Sequence, residues 1–361
     1  MISIFFSQIV CLFFMIRNYF YPPQARFPLL KLDDVAIREV LNSLDPIDYI
    51  NFSKASKACR ILSTVKTSCK VILIFMDFPV FCIYNSTNSD CFIWTGDKEK
   101  DGTRKIGTWE NKSREVFYKY SENSLNAMQE FKELYVYVRS LMGVEIDYVV
   151  LKMDKLGGRC SEIVAWFRSI RQEVSDLTIY GTNQPQEEMQ YLLDNLKFKN
   201  SSIICLDTIG DLPLEIPNKI EGVRITYGSW ITFDYVMRLE ISRMAFNSTY
   251  LTNQDINMFY KSWMKMQSHQ NLEFFEINLM NPEDFVAVCL RDISYEIIPP
   301  IPEPLPNYTP MEGSFEVTRI DGLKAYFGVY DGPDPQGIVA CMFTWLDKDV
   351  VEITLNLKEL N

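Results

Sequence analysis

The chain holds one histidine, His269, in the polar run MQSHQN. Triads, Cys–His dyads and histidine metal sites all need an imidazole held against a nucleophile, a metal or a carboxylate. One imidazole in a helix-to-strand connection predicts a solvated loop residue. The nine cysteines (Cys11, Cys59, Cys69, Cys82, Cys91, Cys160, Cys205, Cys289, Cys341) are scattered and contain no C-x-x-C pair. That spacing suggests neither a zinc ribbon nor a dithiol redox pair, and predicts buried free thiols in a reducing compartment. DKEKDGTRKIGT starts like a calcium loop, with Asp97, Glu99, Asp101 and then Gly102. Its twelfth position is Thr108, where a bidentate Glu is needed, and Lys105 stands at a ligand position, so a charged hairpin turn is expected. No G-x-G-x-x-G, G-x-x-x-x-G-K-[ST] or G-x-S-x-G run occurs, and nucleotide cradles and nucleophile elbows normally leave such a trace. The 47 acidic residues show no pairing pattern and read as solvated helix faces. Trp166 and Trp263 lie at helical spacing and read as core. No catalytic residue, metal or cofactor is indicated, and the chain reads as a non-enzyme.

The elements that would position any site follow from composition and periodicity. Apolar residues make up 47% of the 361-residue chain and aromatics 14%, enough for a sizeable core. A net charge of −11 disfavours nucleic acid as a partner. The first segment, 1–26, is an apolar extension and linker. Ile2–Ile16 is shorter than a membrane span and its basic residues, Arg17 and Arg26, follow the apolar run. It reads as a helix packed on the body, a surplus if translation starts at Met15, or a signal or anchor. A membrane role is disfavoured, and cytoplasmic and/or nuclear localisation is expected.

Residues 27–70 carry Val35, Ile37, Val40, Leu41 and Leu44 at three- and four-residue steps, which predicts a helix capped by Asp33-Asp34. Asp45-Pro46 predicts the start of a second helix, with Asp48 in its first turn and Ile47 and Ile50 on its apolar side. A third is expected over Lys57–Lys66. Residues 71–145 open with β-branched and aromatic strands, CKVILIFMDFPVFCIY and DCFIW, while 111–140 look mostly helical. Across 146–296 strands and helices alternate: helices over CSEIVAWFRSIRQ (capped by Ser161), QPQEEMQYLLDNLKF and LTNQDINMFYKSWMKM, and strands that include VMRLEISR. The expected class is α/β (α+β overall): a small three-helix unit, then a strand–helix alternating, leucine-rich-repeat-like domain with β-hairpins before and after it. Residues 297–310 form a Pro-rich extended segment and 311–361 a C-terminal β-hairpin region with an Asp321-Gly322 turn.

A unit of about 40 residues is too small to bury Val35, Ile37, Val40, Leu41, Leu44, Ile47 and Ile50 alone, so they need the body of the protein or a partner's groove. The same stretch resembles an F-box. Leu32 stands at the motif's first leucine; Val35, Ala36, Val40 and Leu41 fill its first helix; Leu44-Asp45-Pro46-Ile47-Asp48 matches the central signature, with Tyr49 and Ile50 following; and SKASKACRIL fits the third helix. Asp33 takes the place of the family's proline. IVAWFRSIRQEVSDLTIYG, EEMQYLLDNLKF, LTNQDINMFYKSWMKMQSHQNLEFFEINL and IDGLKAYFGVY resemble nematode F-box families with an F-box associated domain of type 2. The resemblance implies a non-catalytic substrate-recognition adaptor of an SCF-type cullin–RING ubiquitin ligase. Residues 32–50 would bind a Skp-type adaptor, and through it a cullin, while the associated domain would hold an unknown protein substrate. The alternative is an interaction module whose F-box is degenerate at Asp33 and has no ligase role.

Overall fold

The computed structural model describes residues 32–63, 69–85, 88–109, 112–207, 214–217, 219–301, 308–311, 313–332 and 337–344. The apolar extension at 1–26, the expected end of the third helix at 64–66 and the centre of the Pro-rich segment lie outside the described residues. Two compact units are present, one of residues 1–70 and 81–145, the other of 71–80 and 146–361.

In the first unit three helices come first: α1 (Asp34–Asn42), α2 (Pro46–Ala55) and α3 (Lys57–Leu62). Asp33 caps α1 by accepting the Ala36 amide at 2.9 Å, and Ser56 caps α3 by accepting the Cys59 amide at 3.1 Å. Pro46 opens α2, where its missing N–H costs nothing. Ile47 and Ile50 are fully buried, each contributing about 2–3 kcal/mol. The following sheet runs β2 (Val80–Tyr84), β3 (Asn88–Thr95), β5 (Lys112–Tyr120), β4 (Arg104–Trp109). Here β3 and β5 are parallel and β4 and β5 antiparallel. β5 corrects the helical expectation for 111–120. EVFYKY pairs on both sides, and Phe117 packs edge-on against Phe92 at 5.6 Å, so tertiary pairing outweighs local helix preference. The helix begins only at Ser124, as α4 (Ser124–Met142), capped by Asn123.

The cysteine expectation is also corrected: Cys82 of β2 and Cys91 of β3 form a disulfide, while Cys59, Cys69, Cys160, Cys289 and Cys341 are not disulfide-bonded. In the calcium-like loop, Asp97 accepts the Glu99 amide and Asp101 the Tyr120 amide, so both carboxylates serve as turn caps.

The second unit holds β1 (Lys70–Phe75) beside β6 (Glu145–Lys152). Then β7 (Val174–Thr182), β8 (Phe198–Asp207), β9 (Gly222–Ile225), β10 (Arg243–Phe246) and β11 (Phe274–Asn278) follow in sequence order, each parallel to the last. The crossovers carry α5 (Cys160–Ile170), α6 (Gln186–Asn195), α7 (Phe233–Arg238) and α8 (Asn253–Met264). Beyond β11 the pairing turns antiparallel through β16 (Gly337–Phe343), β15 (Lys324–Gly332), β14 (Ser314–Thr318) and β12 (Glu296–Ile298), with β13 (Thr309–Pro310) on β15.

α8 shows how the core forms. A capping box between Thr252 and Asp255 starts it, and Ile256, Phe259, Tyr260 and Trp263 are buried on one face. Phe259 stacks on Phe275 at 4.2 Å and Tyr260 on Phe327 at 4.3 Å.

Three further expectations are corrected. VMRLEISR is the end of α7 followed by β10, because Thr232 caps a turn at the Tyr235 amide and buries Tyr235 and Val236. The cap position of α5 is Arg159, which places Ser161 inside the helix. His269 is half-buried: its Nε2 meets the Val236 carbonyl at 3.0 Å, its ring packs on Phe259, and burial lowers its pKa.

Candidate functional site

The twelve residues singled out at 32–50 divide into two groups. Ile37, Leu41, Pro46, Ile47, Tyr49 and Ile50 are buried by this chain itself. Tyr49 also donates its hydroxyl to the Ser63 carbonyl at 2.7 Å, tying the start of α2 to the end of α3. Val35 is 71% exposed, and Leu32, Val40 and Leu44 are half-buried. Asp33 and Asp45 are exposed at the cap positions of α1 and α2. Ile61 of α3, 67% exposed, joins the outward group. Sequence reading passed over it as part of a generic third helix, although an isoleucine directly after a basic residue in KACRIL was the available signal. The outward apolar residues therefore lie on or beside α1 and α3, and α3 packs on α2.

α2 is gripped at both ends within its unit. At its start, Asp48 accepts from Arg104 Nη2 at 3.0 Å, and Nη1 of the same guanidinium donates to Glu115 at 3.1 Å. Arg104 lies on β4 and Glu115 on β5, diagonal neighbours across that pair, with Arg104 opposite Phe117 and Glu115 opposite Ile106. Asp90 of β3, only 2% exposed, accepts the Glu115 amide at 3.3 Å through Oδ1, while its Oδ2 is buried without a hydrogen-bond partner among the described residues. Burial first, and then the Asp45 charge, push the Asp90 carboxyl up to about 7. Burial and Asp48 likewise raise Asp45, with Arg104 opposing.

At the other end of α2, the Ser53 and Tyr137 hydroxyls are 2.7 Å apart. Lys54 and Arg60 each lie over the Tyr137 ring, 5.3 Å from its centroid. Tyr137 sits on α4.

In the second unit the polar centre is Glu276 of β11, fully buried. It accepts two bonds from Arg224 at 2.8 and 3.2 Å, one from Asn247 at 3.1 Å and one from Tyr308 at 2.9 Å. Tyr308 and Ile301, the described residues flanking the centre of the Pro-rich segment, pack with Ala245, Phe274, Tyr330, Val339, Cys341 and Phe343. A shallow groove of about 420 Å³ runs along α6, lined by Gln186, Glu187, Gln190, Tyr191, Asp194 and Asn195. Among the described residues no helix is long and apolar enough to cross a membrane, and no cluster of His, Cys, Asp or Glu has metal-ligand geometry.

No curated protein and no solved structure matches the chain. Two family models do. Residues 211–277, which run through β9, α7, β10 and α8 into β11, are similar to a family described as F-box associated. Residues 29–69, which take in all three helices α1–α3, are similar to the F-box domain.

Proposed function

We propose that the chain is a substrate-recognition adaptor of an SCF-type cullin–RING ubiquitin ligase. Its three-helix segment at 27–70 holds a Skp-type adaptor, and its second unit holds a target protein. The observation that carries this reading is the succession, in one chain, of an F-box match at 29–69 and an F-box associated match at 211–277. F-box domains generally bind Skp-type adaptors, and both domain types are typically non-catalytic. The exposed side chains of Val35 and Ile61, flanked by half-buried Leu32, Val40 and Leu44, support an apolar dock built on α1 and α3. The aspartate in place of the motif's proline supports an intact F-box fold, since Asp33 is spent on capping α1. In the second unit we read the sequential parallel ladder β6–β11 as a leucine-rich-repeat-like platform for the target. Cytoplasmic and/or nuclear localisation accompanies this role.

The test is a titration of the full chain with a purified Skp-type adaptor. The wild type is expected to bind, and Val35→Lys with Ile61→Lys to weaken binding about 100-fold without changing the far-UV spectrum. Ile47, fully buried, is unsuitable for this purpose, because a charge there disrupts the fold. Failure of the wild type to bind, or unaltered binding by the double variant, sinks the proposal.

A further inference from the structure

The exposed residues of the dock sit on α1 and α3, whereas the helix bridged to the sheet of the unit is α2. Asp48 in its first turn is joined through Arg104 to Glu115. α2 packs on α3, and Tyr49 closes the two helices through Ser63. Asp45, Asp48 and Glu115 all act on Arg104, with Asp90 lying among them. Without the guanidinium, like charges at the head of α2 face like charges on β3 and β5.

We propose that Arg104 is a positioning residue for adaptor binding: it never touches the adaptor, but by bridging Asp48 to Glu115 it holds α2, and with it the packed α3, in the arrangement the adaptor meets. This rests on the function proposed above. The physical link is the competent fraction. A partner that grips two helices at once binds only molecules in which both are placed, and its apparent affinity falls in proportion to that fraction. Arg104 and Asp48 are partly shielded, with side-chain exposures of 30% and 16%. Their bridge is therefore screened by salt but not erased by it.

The experiment compares the full-length wild type with Arg104→Gln, Arg104→Lys, Asp48→Asn and the Arg104→Gln/Asp48→Asn double variant. Two quantities are read: affinity for a purified Skp-type adaptor, and amide hydrogen exchange over residues 46–55. Arg104→Gln is expected to bind about fivefold more weakly and to exchange faster over 46–55, with exchange in α8 unchanged. Asp48→Asn should lose about as much, and the double variant no more than either single one, because one bridge is broken once. Arg104→Lys should recover part of the loss, since an ammonium keeps the charge without the two-pronged fork. Raising the salt from about 0.05 to about 0.5 M should weaken the wild type more than Arg104→Gln. Unchanged affinity and exchange in Arg104→Gln overturn the proposal, as do single losses that add in the double variant. A wild type that does not bind the adaptor overturns the functional reading, and this proposal with it. A wild type that binds, beside an Arg104→Gln variant that binds equally well, overturns this proposal alone.

Discussion

Two arginine–carboxylate clusters, one in each unit, solve the same problem differently. Glu276 is fully buried and meets four donors, two from Arg224 and one each from Asn247 and Tyr308, so both of its oxygens are saturated. At the head of α2, by contrast, Asp45, Asp48 and Glu115 share one guanidinium, and Asp90 leans on the Glu115 amide. A saturated buried pair is stiff. Its Coulomb gain roughly offsets desolvation, and breaking it leaves an uncompensated charge. An undersupplied cluster keeps a carboxyl near neutrality and responds to protons and salt. The stiff solution lies inside the ladder of the second unit, and the responsive one where the dock joins its sheet.

Three measurements break or sharpen this contrast. The largest effect is expected at Glu276. Glu276→Gln strands Arg224 and should cost about 3–5 kcal/mol, read as a lower urea midpoint, whereas Glu276→Leu with Arg224→Leu should recover most of that loss. If the double variant is no better than the single one, the cluster is not held by charge pairing.

The next effect is at Asp90. Its folded carboxyl, pushed up to about 7, lies above the unfolded value of about 4. The native state therefore favours the protonated form. That contribution is full below about pH 4, is lost as pH rises through about 7, and amounts to something on the order of 3 kcal/mol. Asp90→Asn, which imitates the protonated acid, should flatten the stability profile of the first unit between about pH 4 and about pH 8 and raise its melting point at the upper end. A variant that keeps the wild-type slope removes Asp90 from the responsive cluster.

The smallest effect is expected at the far end of α2. Tyr137→Phe deletes the bond to Ser53 while that hydroxyl keeps its 2.6 Å bond to the Ile50 carbonyl, so the cost should be about 1 kcal/mol by thermal unfolding. A loss above about 3 kcal/mol would make this end the dominant anchor.

Local sequence signals alone locate much of the fold. The i, i+3, i+4, i+7 pattern of Ile256, Phe259, Tyr260 and Trp263 marks α8 and its buried face, and Asp45-Pro46 marks the start of α2. What local patterns lose is competition from distant partners. EVFYKY has aromatic residues that suit either a helix or a strand, and only β3 and β4 on its two sides decide the matter. Asp33 was legible as a cap because its partner is three residues away. Asp90 was not, because the amide it serves belongs to Glu115, 25 residues further on. Arg104 looked like one charge in a polar turn for the same reason. Glu276 did leave a trace: the second acid of NLEFFEINL, set between Phe275 and Ile277, sits where a charge survives only with partners.

The placement of β16 has a consequence for the order in which the chain is made. β7 to β11 each pair with the strand just before them, so this ladder grows in the order of synthesis. β16 comes late in the sequence, yet it sits between β11 and β15 and pairs with both. Until residues 337–343 have emerged, the outer edge of β11 presents unpaired amides and carbonyls beside Phe274 and Phe275, the kind of edge that recruits other strands. A nascent chain halted just before Gly337 would thus carry a nearly finished platform with an adhesive margin.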